Sequence, residues 1–302
     1  MILEYLQPDP SFLDGLGVVV RAAYYVATIG AAGLALFAIG FGHRLLPDEA
    51  GRLRRTLLVA VLAGLGLSVL ALALRVLVLT AGASMTDPDV WQAVMRSRIG
   101  DAFWLRAGGL VLLAAAATTW RAGPAVAAAG AVLVLGSYAA MGHSMLFTPR
   151  QEIAALVVGH LAVVGFWVGS LPPLLWVAHR ADGAGAAALL RDWSRAATIG
   201  VLAMLASGLL LTWYLTPPIT RVLEAWHGWA LAAKVALVLG ALGLALWNRL
   251  RHTPALLRGE AGAGARLAAS IRWEMVLVAL AFWAAAEMVS VHPVDYGHRV
   301  QG

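Results

Sequence analysis

The sequence predicts an all-α polytopic transmembrane helical bundle of about eight spans, and three observations predict it. Apolar runs of about 20 residues recur along most of the chain, each long enough to cross a hydrocarbon core of about 30 Å. Only 13% of the residues are charged, with a mean hydropathy of +0.80, whereas soluble domains carry roughly a quarter charged residues. The runs are continuous in Ala, Leu, Val and Gly, without the period-two alternation of a barrel strand. Backbone in lipid must close its own hydrogen bonds, so these runs are helices.

The spans read as 16–42, 56–80, 101–120, 123–142, 152–178, 196–216, 228–248 and 271–291. They form one transmembrane domain over 16–292, between a short outer segment 1–15 and an outer tail 293–302. The first residues carry Glu4, Asp9 and Asp14 but no Lys or Arg, unlike the basic start of a cleavable signal peptide, so the first span is expected to insert by itself. The loop near 81–100 is too short to fold alone. Arg121-Ala122-Gly123-Pro124 turns the third span directly into the fourth. In the fifth, Gly165 and Gly169 are spaced for close approach of another helix, and Pro172-Pro173 is expected to kink its end. Pro217-Pro218 ends the sixth, and the small-residue stretches 182–188 and 259–265 read as surface loops.

With both termini outside, thirteen arginines fall in or beside the inner loops and six on the outer side, the bias that sets membrane orientation. Trp120, Trp176, Trp193, Trp247 and Trp273 then form one interfacial belt, and Trp91, Trp104, Trp226 and Trp229 the other. The net charge of +6 is spread over short loops, so it marks topology and not a nucleic-acid partner. There is no cysteine, which excludes disulfides and thiolate metal sites and leaves Met and His as the soft ligands.

Ionisable side chains inside a span are costly and therefore functional candidates. Arg75, Arg106, His160, Lys234 (the single lysine) and Glu287 all fall in the outer half, with His143, Glu152, His227 and His292 at its rim. The inner half offers only Glu274 near its edge, with Met204, Thr118 and Thr119 as weaker groups. Snorkelling to headgroups accounts equally for Arg75 and Arg106, and Lys234 with Glu287 would make a structural ion pair. Met141-Gly142-His143-Ser144-Met145 closes the fourth span, and thioether with imidazole suits Cu(I). On a helix His143 would point away from the two methionines, so a joint site needs the helix to end near Gly142. Met288 and His292 share a face at i, i+4. The candidate metal ligands are thus Met141, His143, Met145, His160, Met288 and His292. Glu287, Lys234, Arg75, Arg106 and His227 line the same vestibule.

Over about 193–293 the chain resembles the copper resistance protein D (CopD) family of bacterial inner-membrane proteins. The segments that carry the resemblance are Trp193-Ser194-Arg195, Trp226-His227-Gly228-Trp229 leading to Lys234, Asn248-Arg249, and Glu274. Upstream, Gly142-His143 and His160 through Trp167 to Gly169 are similar as well. His227-Gly228 stands where the family usually has Tyr-Gly. The resemblance implies copper handling, with copper moved from periplasm to cytoplasm. The expected partners are copper, the bilayer and a periplasmic copper-binding protein, and no enzyme activity is expected. Two alternatives stay open. One is a b-type haem held by histidines such as His143 and His160; the other is an assembly subunit for a periplasmic copper enzyme.

Overall fold

The computed structural model describes residues 10–80, 85–141, 149–180, 183–215 and 226–290. The long helices are α1 (Pro10–Phe41), α2 (Pro47–Leu79), α4 (Arg98–Leu113), α5 (Gly123–Ala139), α6 (Arg150–Val177), α7 (Gly183–Leu215), α8 (Trp226–Trp247) and α10 (Ala263–Ser290). Two short ones join them: α3 (Pro88–Met95), and α9 (Thr253–Leu257), which follows a π-helical turn at Asn248–His252. Among the described residues, seven helices are long and apolar enough to cross a membrane; the expected fourth span, α5, has 17 residues. At the helical rise α5 is about 26 Å long, the short end of the spanning range.

Capping fixes several starts. Glu49 accepts the Leu46 N–H at 3.0 Å ahead of α2, and Asp87 and Ser97 accept the N–H groups of Asp89 and Ile99 at the heads of α3 and α4. α3 is a helix inside the loop expected near 81–100, too short to be a domain. The stretch expected as a loop over 182–188 is instead helical from Gly183, with Ala186 and Ala187 buried. A Cβ on Gly183 would stand 3.1 Å from the Leu256 carbonyl oxygen, so the small residues serve contact with α9. The other stretch turns at Gly259 and Gly262, at φ 68° and 72°, but 263–265 already belong to α10.

α1 is the central pillar, packed against α2, α5, α6 and α10, with Ala31, Ala32, Ala35 and Phe37 fully enclosed. Lipid gives helices no hydrophobic reason to associate, so close packing must do so. A Cβ on Gly33 would lie 1.7 Å from the Gly165 carbonyl oxygen, and one on Gly169 would lie 2.3 Å from the Gly33 carbonyl carbon. The expected close approach at Gly165 and Gly169 is therefore to α1. Gly109 and Gly130 bring α4 and α5 together in the same way.

Val18 and Ala22 near the start of α1 pack with Ala286 near the end of α10, so both helices reach one end of the bundle, the terminal side. At the opposite, arginine side Arg180 grips both oxygens of Glu49, with Nε to Oε1 at 2.8 Å, and also donates to the Arg44 carbonyl. Arg44 in turn pairs with Asp192 of α7. Farther along, α7 lies on α6 and α8 lies on α10, but α7 and α8 share almost no contact. Ile199, Leu202, Leu209 and Trp213 of α7 are exposed, the apolar surface a membrane-facing helix carries.

Candidate functional site

The polar side chains that the fold gathers inside the C-terminal half lie at two levels. At the first, His160 sits ten residues into α6, about 15 Å along the helix and close to its middle. Its Nδ1 is 3.2 Å from the Met204 carbonyl oxygen and 3.2 Å from Ser207 Oγ, both on α7. The Ser207 hydroxyl donates to the Ala203 carbonyl at 2.7 Å, so its oxygen is free to accept. A carbonyl can only accept. Both partners therefore call for a proton on Nδ1, and the neutral ring keeps its lone pair on Nε2. Gly208 permits this contact, because a Cβ there would stand 3.3 Å from His160 Cε1. Lys234 on α8, half-buried, is near enough to act on His160 electrostatically.

The second level lies two helical turns farther along the same face of α6, about 10 Å away, at Trp167. Glu274 of α10 is 2% exposed and accepts a hydrogen bond from the Asn248 side-chain amide, while Trp167 approaches the same carboxyl as a donor. Asn248 is the chain's only asparagine and opens the π-helical turn, a geometry often found at functional sites. Its Oδ1 is buried without a hydrogen-bond partner, and so is the indole N–H of Trp193. A small cleft of about 30 Å³, open on one side, lies among Trp193, Ser194, Asn248, Arg249, Thr253 and Glu274. Arg249 closes one edge by donating to Thr198 of α7.

Sequence reasoning gave the inner half Glu274, with Met204, Thr118 and Thr119 as weaker groups, and quoted Trp193-Ser194 and Asn248-Arg249 for the resemblance without making them site residues. It assigned Trp193 to the interfacial belt, yet the structure buries its N–H toward the cleft. The signal available was the lone Asn248 at the end of an apolar run. Ser207 and Gly208 gave none, because a serine and a glycine in a span are ordinary packing residues.

The other expected site residues are placed unevenly. His143, Met145 and His292 lie outside the described residues. His227 is in the first turn of α8, with its side chain also outside them. Met141 is half-buried just after α5, which ends at Ala139, three residues before Gly142. Met288 and Glu287 are half-buried on the last turns of α10. Lys234 and Glu287 do not form an ion pair among the described residues. Arg75 is exposed on α2, and Arg106 is buried in α4 against Tyr24 and Tyr138, apart from His160. No group of three or more His, Asp or Glu side chains with metal-binding geometry occurs among the described residues.

Comparison with known protein families matches residues 187–288 to copper resistance protein D, and residues 12–147 to the copper resistance protein D-like N-terminal domain. The chain belongs to the copper resistance protein D family. Comparisons with curated proteins and with solved structures give no match. The resemblance over 193–293 and the family match coincide closely, and membership makes the chain a copper resistance membrane protein of the multi-pass class. Ser207, Trp193, Lys234, Asn248 and Glu274 fall within the copper resistance protein D segment, and His160 and Trp167 lie between the two matched segments. The motif residues Trp193-Ser194, Asn248-Arg249 and Glu274, far apart in sequence, meet at the one cleft.

Proposed function

We propose that the protein binds copper as Cu(I) and moves it across the bacterial inner membrane from the periplasm, where both termini lie. The observation that carries this reading is His160, near mid-membrane, with Nδ1 tied to α7 and Nε2 presented as a ligand. Imidazole and thioether are the soft donors a cysteine-free chain has, and Met141, His143, Met145, Met288 and His292 would receive the ion before His160. The arginine distribution and family membership support the direction of insertion and the metal. Past His160 the ion meets Glu274 and Asn248, whose oxygens would compensate its charge while holding a soft ion weakly enough to release it. A periplasmic copper-binding protein would supply the ion. The protein acts as a permease, not an enzyme.

The test is copper content and a visible spectrum on one purified sample, followed by uptake into proteoliposomes. Wild type is expected to hold copper, and His160→Ala to take it up at least tenfold more slowly. Glu274→Gln is expected to slow uptake while leaving bound copper near the wild-type amount. Full uptake by His160→Ala would sink the reading, and a Soret band would replace copper with haem.

A further inference from the structure

A second unexplained polar group lies in the N-terminal half, apart from His160 and the Glu274 cleft. Arg106 of α4 is 4% exposed. Its guanidinium carbon stands 4.7 Å from the centre of the Tyr24 ring and 4.9 Å from that of Tyr138. The two rings stack a cation but offer it no negative charge. Tyr138 shares its hydroxyl with Thr28 at 2.6 Å, and Thr28 donates to the Tyr24 carbonyl at 2.8 Å, so this part of the cage is already bonded. Arg106 Nε and Nη2 are both buried and have no hydrogen-bond partner.

These two orphaned donors share one edge of the guanidinium. That edge is the fork that grips two oxygens of a phosphate or carboxylate side-on. Arginine keeps its charge at any physiological pH, so deprotonation cannot relieve the burial. No carboxylate pairs with Arg106 among the described residues. The neighbours add positive charge: Arg21 hydrogen-bonds Tyr25 of the same tyrosine cluster, and Arg75 lies within electrostatic reach of Tyr24, Tyr25 and Arg21. Arg75 is exposed on α2, four residues before its end.

We propose that Arg106, with Arg75 and Arg21, forms a binding site for a phosphate group on the terminal side of the N-terminal half. Three cations that pair with no carboxylate among the described residues suit phosphate better than a single carboxylate, and the fork on Arg106 fixes its orientation. The group is either the headgroup phosphate of an anionic lipid or free phosphate. The proposal does not rest on the copper reading, since its argument uses neither His160 nor the Glu274 cleft.

Delipidated full-length protein would be titrated with phosphatidylglycerol in one arm and inorganic phosphate in the other, with sodium chloride as control. Native mass spectrometry and the thermal midpoint are the readouts. Phosphatidylglycerol or phosphate is expected to raise the wild-type midpoint and to bind at least tenfold more weakly to Arg106→Lys, which keeps the charge but loses the fork. The arm that responds identifies the source. Arg75→Gln, at an exposed position, is expected to weaken binding several-fold and keeps the test decisive where Arg106→Lys does not fold. Equal binding by wild type and both variants, or no binding above the chloride control, would overturn the proposal and leave Arg106 as an aromatic-stacked structural residue.

Discussion

At the scale of single residues, His160 depends on a neighbour with no side chain. Gly208 leaves just enough space for the imidazole edge, with 3.3 Å between a built Cβ and Cε1. Gly208→Val is therefore expected to turn the ring off the Met204 carbonyl and lower copper binding, while α7 still folds as a lipid-facing helix; metal content of the purified variant checks this. Val is a weaker helix former than Ala, but it replaces Gly here, so propensity alone would favour the variant. Loss of function without loss of helix would separate a steric effect on His160 from a folding effect. His160 was legible in the sequence because an ionisable group inside an apolar run stands out. Its tautomer was not, because that depends on a backbone carbonyl 44 residues away.

At the scale of elements, helix type and order were legible, since apolar length is a local property. Boundaries were less so. The Gly- and Ala-rich opening of α7 looked like a linker, yet its small side chains are what let it nestle against α9. Composition signals flexibility only where no neighbour uses the space. The α1–α6 crossing shows the opposite case, in which Gly165 and Gly169 announced close packing and found it at Gly33. Gly33→Ala would drive a methyl into the Gly165 carbonyl and is expected to cost about 3 kcal/mol or more, as overpacking does when backbone is the obstacle. Thermal unfolding in detergent reads this, with Gly30→Ala as the control because a Cβ there meets nothing within 4 Å.

At the scale of the whole molecule, α2 of the N-terminal family-matched segment is pinned at the arginine side to the chain just past α6 by Glu49 and Arg180, whose side chains are 8% and 7% exposed. Removing one partner strands a buried charge, so Glu49→Gln is expected to cost about 3 kcal/mol, read as a lower unfolding midpoint. Raised salt should restore little of it, since buried pairs are poorly screened. The candidate cleft was not legible as a site because its members come from α6, α7, α10 and the π-helical turn, and only the fold makes them neighbours. The seam between α7 and α8 gives that arrangement a further property. Because α7 and α8 share almost no contact among the described residues, acyl chains would supply part of the wall beside His160 and Lys234 in the proposed path, and the bilayer would act as solvent for the proposed ion. Its permittivity and thickness would then tune how tightly copper is held. Reconstitution in nanodiscs of short and of long acyl chains is expected to give different copper affinities for one unchanged sequence.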